Sequence, residues 1–441
     1  MVQHVIIGSS IAGLSAAEAI RERDAAARIT LISEERHDFY SRPGLAYTLR
    51  GDIPEKQLFA RTPADWQALN ATRLQARAEA IDPAARSVWL SNGQRVSYDR
   101  LLLATGSTAA PADFPGADLP GVVKLDSLDD ARAIAKLAGR GRSAVVVGGG
   151  ITALELVEGL RARGCRVHYL MRGDRYWANV LDETESHLIA ERLRAEGVII
   201  HPRTQIRRAL DKRGKLAAIE TAAGEMLKCD ILAVAIGVRA RLELATAAGL
   251  RVERGILVDE LMQTSVPHVY AAGDVAQVFD PLTGRASMDV LWSAALEQGR
   301  AAGLNMSGAS RPYVKAVPMN VTQLAGLVTT IIGAVGGGRD EDMVTLARGD
   351  SETWRTRLDA RVYARRDQAD RVRLLVGERA LVGALIMGDQ TPSRPLHRLI
   401  AAQADITPVK AALIAGGSAA LPQLLEFHRH WESAPHATKN V

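Results

Sequence analysis

The sequence predicts an α/β protein, and three observations predict it. A short apolar run that meets a glycine-rich turn and then a helical stretch occurs twice, near residue 5 and again near residue 145. Each copy is followed by a second apolar strand, and strand-like runs recur from residue 317 onward ahead of helical patterns. Strand, tight turn, helix, strand is the Rossmann-like dinucleotide-binding unit, so the expected architecture is two such units with an α+β C-terminal domain.

In chain order, Val5 to Ile7 run into Gly8-Ser9-Ser10-Ile11-Ala12-Gly13, with a helix expected over Leu14 to Arg23 and a strand over Arg28 to Ser33. Val145 to Val147 run into Gly148-Gly149-Gly150-Ile151-Thr152-Ala153, with a helix over Leu154 to Arg163 and a strand over Arg166 to Met171. In such a turn the first glycine permits the backbone conformation. The second lets the chain approach a pyrophosphate, and the third allows the helix to pack on the strand. The phosphate then lies on the helix N-terminus, where free N–H groups and the positive dipole end face it. Ser10 replaces the second glycine of the first copy, and Ala153 the third of the second. About 20 residues beyond the first turn stands Glu34, able to accept from a ribose diol, although a bare strand end would place a solvated carboxylate there too. The second strand instead ends at Met171, followed by Arg172 and Arg175, whose guanidiniums permit a 2′-phosphate and hence NADP(H).

Composition removes other classes. The 441 residues are 47% hydrophobic and 24% charged, enough for several packed domains and unlike a disordered or fibrous chain. Only two cysteines occur, Cys165 and Cys229, so a disulfide framework, a four-cysteine zinc site and an iron–sulfur cluster all lack ligands. Redox chemistry must therefore be carried by a bound organic cofactor. The net charge of +5 is spread along the chain without a run of like charges, so no nucleic-acid partner is expected, and an acidic protein partner fits the same charge. The start Met-Val-Gln-His-Val-Ile-Ile-Gly lacks a targeting pattern, which reads as cytoplasmic. Leu324 to Val335 falls short of the ~20 residues of a membrane span and reads as one buried strand.

Three further segments complete an ordered set: Leu101-Leu102-Leu103-Ala104-Thr105-Gly106, Leu232 to Arg239 with Gly237, and Val269-Tyr270-Ala271-Ala272-Gly273-Asp274. With the two turns, this set resembles the FAD-dependent pyridine nucleotide–disulfide oxidoreductase superfamily over residues 1 to about 310. The resemblance implies an FAD domain in two parts, 1–112 and 240–316, an inserted NAD(P)H domain at 113–239, and a C-terminal interface domain at 317–441. It implies FAD contacts from Gly8, Ser10, Ala12 and Gly13, from Glu34, from Arg42 and Pro43, from Ala104, Thr105 and Gly106, from Gly273 and Asp274, and from Trp292 with the helix Ser293 to Gly303. For NAD(P)H it implies Gly148, Gly150, Ile151, Glu155, Arg172 and Gly237. Many relatives place an aromatic ring where Ile151 stands, so gating by a swinging ring is not expected.

What the chain lacks narrows the chemistry. The first helix has no C-x4-C, and Pro43 in Tyr40-Ser41-Arg42-Pro43-Gly44-Leu45-Ala46-Tyr47 occupies the place of the single redox cysteine of related oxidases and reductases. Proline offers no nucleophile. The segment is instead similar to the cysteine-free branch: rubredoxin and ferredoxin reductases, the flavin portion of NADH-dependent nitrite reductases and apoptosis-inducing-factor-like proteins. Ala380 to Asp389 resembles a strand of the third domain of the nitrite-reductase-like flavoproteins. His397, His428 and His430 have no following proline, so a general-acid histidine for thiol chemistry is unsupported. The expectation is an enzyme that passes hydride from NADH or NADPH to FAD, and electrons onward to rubredoxin, ferredoxin, a partner subunit, a quinone or dioxygen. A homodimer is expected. The alternative is an FAD-binding assembly protein whose slow NAD(P)H reaction is a structural switch.

Overall fold

A computed structural model of the chain describes residues 1–280, 284–335, 360–365, 370–415 and 419–434. They fall into two compact units. The first holds Met1–Asp174 and Arg194–Lys315, the second Arg175–Leu193 with the described residues from Ala316 onward.

The first unit contains two five-stranded parallel sheets. One has the order Val269–Ala271, Arg100–Leu103, Gln3–Ile7, Arg28–Ser33, Thr72–Gln75. The other runs Ile199–His201, Arg166–Leu170, Ser143–Val147, Ile231–Val234, Val122–Val123. Their central strands are buried on both faces, which is why Val5, Ile6, Val145 and Val146 form unbroken apolar runs instead of alternating ones. The chain crosses from the first sheet to the second at Ser107–Ala109 and returns at Val238–Ala240, and these two crossings pair antiparallel with each other. Two antiparallel three-stranded sheets, Ala78–Asp82 with Ser87–Leu90 and Arg95–Ser97, and Ile206–Lys212 with Lys215–Thr221 and Met226–Lys228, are additions the periodicity did not reveal.

Two helices pack on each other against the first sheet. Ile11–Arg23 and Trp292–Met306 pack through backbone: a Cβ at Gly299 would lie 2.1 Å from the Ala12 carbonyl oxygen, and one at Gly303 2.3 Å from that of Ala16. Small residues four apart on both helices let the axes come this close. Both helices begin earlier than their apolar pattern suggests, at Ile11 instead of Leu14 and at Trp292 instead of Ser293.

The second unit is a five-stranded antiparallel sheet, order Met319–Leu324, Leu327–Gly333, Leu381–Met387, Arg371–Val376, Ala360–Arg365. The helices Ser393–Ala401, Thr407–Ala415 and Ala420–Ser433 complete its core around Leu374, Ile386, Leu399 and Leu424. The single strand expected over Leu324 to Val335 is instead the turn and second arm of a hairpin. Ala325 and Gly326 both take positive φ, 46° and 77°, and reverse the chain. The helix Glu183–Ala195 begins in this unit, tied by a buried ion pair: Arg373 Nε donates to Glu185 Oε1 at 2.9 Å, with the other guanidinium nitrogens on the Val335 and Val180 carbonyls. Arg371 adds a bond to Asp182 Oδ2 at 2.7 Å.

Three outcomes follow from this packing. Gly299→Ala improves helix propensity by about 1 kcal/mol, yet the clash with Ala12 makes it destabilising by roughly 1–3 kcal/mol, readable by calorimetry; a stabilised variant would mean that the helices separate without cost. Arg373→Ala takes the nearer guanidinium from the fully buried Glu185, which keeps Arg371 Nε at 3.4 Å and the Asp182 N–H at 2.9 Å, and lowers the melting of the second unit at a cost of about 3 kcal/mol, whereas an unmoved thermogram would show that the pair contributes nothing net. His4, on the first strand and fully buried, has its pKa lowered from 6.5 to about 4 by burial first and by Arg100 next. The unfolded chain therefore binds the proton first on acidification, so stability is flat above about pH 6.5 and falls between 6.5 and 4. His4→Gln should lessen that slope, to which His168, His268 and His428, also lowered by burial, contribute the remainder, as denaturation midpoints across the window will report.

Candidate functional site

The first glycine turn is built by backbone alone. Gly8, at φ 112°, donates to the Ile32 carbonyl at 2.8 Å, and Ala104 donates to that of Ile7 at 2.8 Å. A Cβ at Gly8 would lie 2.1 Å from the Ala104 carbonyl oxygen, and one at Gly13 1.9 Å from that of Gly8. No other residue fits either position, so the turn runs directly under the Ala104-Thr105-Gly106 strand end. Ser10 is the N-cap of the helix Ile11–Arg23 and its side chain makes no capping bond. Two other helices are closed by their own side chains: Thr62 with Asp65 and Ser127 with Asp130 form complete capping boxes. Ser10 and the first-turn N–H groups are thus left to an external anion, with no acidic residue in the first turn to repel one. This arrangement fits a dinucleotide pyrophosphate.

The other expected FAD residues gather around that turn. Gly273, at φ 80°, faces Ala12, with 3.0 Å from its Cβ position to the Ala12 Cβ, and its N–H donates to the fully buried Gln298 at 2.9 Å. Asp274 accepts from Ser107 Oγ at 2.6 Å, and burial pushes its carboxyl above the usual range while Ser107 and the Arg42 charge oppose the shift. Trp292 is the first residue of its helix and lies 5.8 Å, centroid to centroid, from Phe39. Arg42 donates to the Asp126 carbonyl at 2.5 Å, and Pro43 is the N-cap of the helix Gly44–Arg50. Tyr40 is pinned between Glu35, to which its hydroxyl donates at 2.9 Å, and the Leu128 N–H at 3.1 Å. Glu34, directly after Arg28–Ser33, is exposed and pairs with Arg241 at 2.9 Å. Sequence reasoning missed Arg241, Asp126 and Ser107, which carry no motif.

The second turn repeats the first. Gly148, at φ 148°, donates to the Leu170 carbonyl at 3.2 Å, Ala235 donates to that of Val147 at 2.8 Å, and a Cβ at Gly148 would lie 2.1 Å from the Ala235 carbonyl oxygen. Gly150 is the N-cap of the helix Ile151–Ala162, uncapped and again without an acid in the first turn. Ile151 is partly buried at its first position, and Gly237, at φ 116°, follows the neighbouring strand end. Arg172 is exposed two residues after the strand Arg166–Leu170, while Arg175 belongs to the second unit. Glu155 projects toward Tyr47, whose phenol pKa is raised by burial first and by the Glu155 charge next.

The helix Gly44–Arg50 docks on the helix that follows the second turn. A Cβ at Gly159 would meet Leu49 at 2.7 Å, Arg163 Nε donates to the Leu49 carbonyl at 2.8 Å, and Arg50 pairs with the buried Glu158 at 2.8 Å. Pro43 is thereby fixed at the end of a helix docked on the second-turn helix. The cysteines lie elsewhere. Cys165 and Cys229 are both buried and precede the strands Arg166–Leu170 and Ile231–Val234, at the amino ends of a parallel sheet whose carboxyl ends carry the glycine turn. Burial pushes the Cys229 thiol up to about 12. Among the described residues no cluster of His, Cys, Asp and Glu could hold a metal.

Comparison with known proteins agrees with this geometry. The profile of the pyridine nucleotide-disulphide oxidoreductase family matches residues 2–299. The ferredoxin–NAD(+) reductase component of the biphenyl dioxygenase system of Paraburkholderia xenovorans is 33% identical over 350 residues, covering 79% of this chain and 84% of its own. The rubredoxin-NAD(+) reductase of Ectopseudomonas oleovorans is 28% identical over 387 residues, covering 87% and 99%. Among solved structures, the covalent putidaredoxin reductase–putidaredoxin complex superposes with a TM-score of 0.85 at 25% identity, covering 97% of this chain and 99% of that one. The chain belongs to the pyridine nucleotide-disulphide oxidoreductase family and is an FAD-dependent NAD(P)H oxidoreductase.

Proposed function

We propose that this enzyme passes electrons from NADH or NADPH through FAD to a small one-electron carrier protein of ferredoxin or rubredoxin type, without a redox-active thiol. One observation carries the reading. The place in which related enzymes carry a redox cysteine is Pro43, at the start of a helix docked on the helix of the second turn, and both cysteines lie at the amino ends of the second sheet, away from its glycine turn. The names of the relatives point to the same class of acceptor.

Bound FAD supplies a hydride acceptor that can release electrons singly. The chain's part is to bind, orient and exclude water. The Gly8 turn, Ser10 and the start of Ile11–Arg23 offer N–H groups to one pyrophosphate, and the Gly148 turn with Gly150 offers them to the other. Asp274 and Glu34 accept from hydroxyls of the first dinucleotide, and Ala104, Thr105 and Gly106 line it. Gly273 and Ala12 keep the floor of that site narrow. With FAD bound, the positive end of Trp292–Met306 would favour an anionic reduced group, and Arg42, whose charge acts on Asp274, would add to that positive potential. Ile151, Glu155, Arg172 and Gly237 would border the nicotinamide dinucleotide, and the helix Gly44–Arg50 braces the helix of that turn. No side chain is required as acid or base in hydride transfer. No helix among the described residues is long and apolar enough to cross a membrane, and we propose a cytoplasmic homodimer, which light scattering of the purified protein tests.

Anaerobic stopped-flow mixing of the yellow protein with NADH and with NADPH should bleach it fast with one of them. Reoxidation should then be slow in air and fast on adding ferredoxin or rubredoxin. Bleaching that takes minutes with both nucleotides would instead favour the structural-switch reading, and absence of bound flavin would sink both. Gly148→Val drives a side chain into the Ala235 carbonyl, so reduction should slow by about tenfold or more while flavin content stays at the wild-type level. Loss of flavin in that variant would show that the two turns are not independent sites.

A further inference from the structure

We infer that Arg241 is a positioning residue for the adenosine half of the dinucleotide held at the first turn, acting by fixing and neutralising Glu34; the inference rests on the flavoprotein reading above. Arg241 follows the return crossing Val238–Ala240 and is anchored by its own backbone. Its N–H donates to the Gly106 carbonyl at 3.0 Å, and its carbonyl accepts from Thr105 Oγ1 at 3.3 Å. The residue is therefore locked to the strand end that closes on Gly8, whatever its side chain does.

The guanidinium then spans two carboxylates. Nη1 meets Glu34 Oε1 at 2.9 Å, Nη2 lies 3.9 Å from Asp126 Oδ2, and Nε donates to the Ser107 carbonyl at 3.4 Å. Asp126 Oδ2 is shared with Thr108 Oγ1 at 2.7 Å and Lys124 at 3.4 Å. The Glu34 side chain is 54% exposed, so alone it would sample several rotamers in water; the Arg241 fork selects one and occupies a single oxygen. The second oxygen is then oriented for a ribose hydroxyl.

Charge gives the same answer. The region already carries Glu34, Asp126 and the half-buried Asp274 against Arg42 and Lys124, and a pyrophosphate adds two negative charges. Glu34 serves a ribose only if a cation offsets its repulsion of the phosphates, and Arg241 is the cation in contact with it.

The test is titration of the apoprotein with FAD, followed by quenching of flavin fluorescence, for Arg241→Ala, Arg241→Lys, Glu34→Gln and the Arg241→Ala/Glu34→Gln pair. Arg241→Ala should weaken FAD by about tenfold, the worth of one charge-assisted hydrogen bond at a partly exposed site. Arg241→Lys should recover part of it. In the Glu34→Gln background the same substitution should cost no more than about twofold, because the pair acts as one unit. The melting temperature of the apoprotein should stay unchanged in every variant. Retained FAD affinity in Arg241→Ala, additive losses in the double variant, or a lowered apoprotein melting temperature would each overturn the inference. A wild-type apoprotein that takes up no FAD is a separate result and overturns the flavoprotein reading itself.

Discussion

The contact on which the site depends is the one between the helices Ile11–Arg23 and Trp292–Met306. Gly299 and Gly303 press on the Ala12 and Ala16 carbonyls, so the spacing of the two axes is set by backbone and not by side chains that could repack. Each glycine inside a helix costs about 1 kcal/mol relative to alanine, an expense that only a close approach justifies. The consequence is geometric. Two helices that close along their length present their first turns, at Ser10 and Leu291, on the same side of the first sheet, with Gly273 fitted against Ala12 between them. A dinucleotide placed there meets one helix start at its phosphates and another along its length.

Among the described helices with a hydroxyl at the N-cap, Ser10 stands apart. Thr62 and Ser127 spend their hydroxyls on their own helices, each with an aspartate completing the box. Ser10 is equally able to cap and does not. A missing cap costs about 1 kcal/mol, so leaving Ser10 and the N–H groups behind it uncommitted is a standing cost to the ligand-free fold that an anion offsets on binding. The second turn reaches the same state by another route, with Gly150 having no side chain to offer. Ala153 in turn closes the space over Gly148, where an added Cβ would lie 3.0 Å from the Ala153 Cβ.

What could be read in the sequence was whatever depends on neighbours in the chain. The strands Gln3–Ile7 and Ser143–Val147, their glycine turns and the following helices are local patterns, and the structure forms them within a few residues of the expected limits. Interactions across long separations were not legible. Glu34 and Arg241 are 207 positions apart and meet only because the two chain crossings pair with each other; Glu185 and Arg373, 188 apart, meet only once the helix Glu183–Ala195 joins the second unit. The hairpin misread as one strand failed for a smaller reason. Ala325 takes a positive φ that alanine rarely adopts, so Ala-Gly gave a weaker turn signal than Asn-Gly would have.

Pro43 connects the absence of a thiol to the geometry that replaces it. A nucleophile at the start of Gly44–Arg50 would sit at a helix N-terminus, the environment that lowers a thiol pKa. Proline at that position removes the reactive group but favours the helix start, since its fixed φ, here −58°, suits the first turn. The helix gains from this, because its other end must bear on the second-turn helix through Leu49, Arg50 and the Arg163 contact. The same segment that in a thiol enzyme would relay electrons chemically is here a helix start without a nucleophile, fixed by its docking on the second-turn helix. Electrons then have one way out, through space from the flavin to whatever docks beside it, and the choice of acceptor passes from a side chain to a surface.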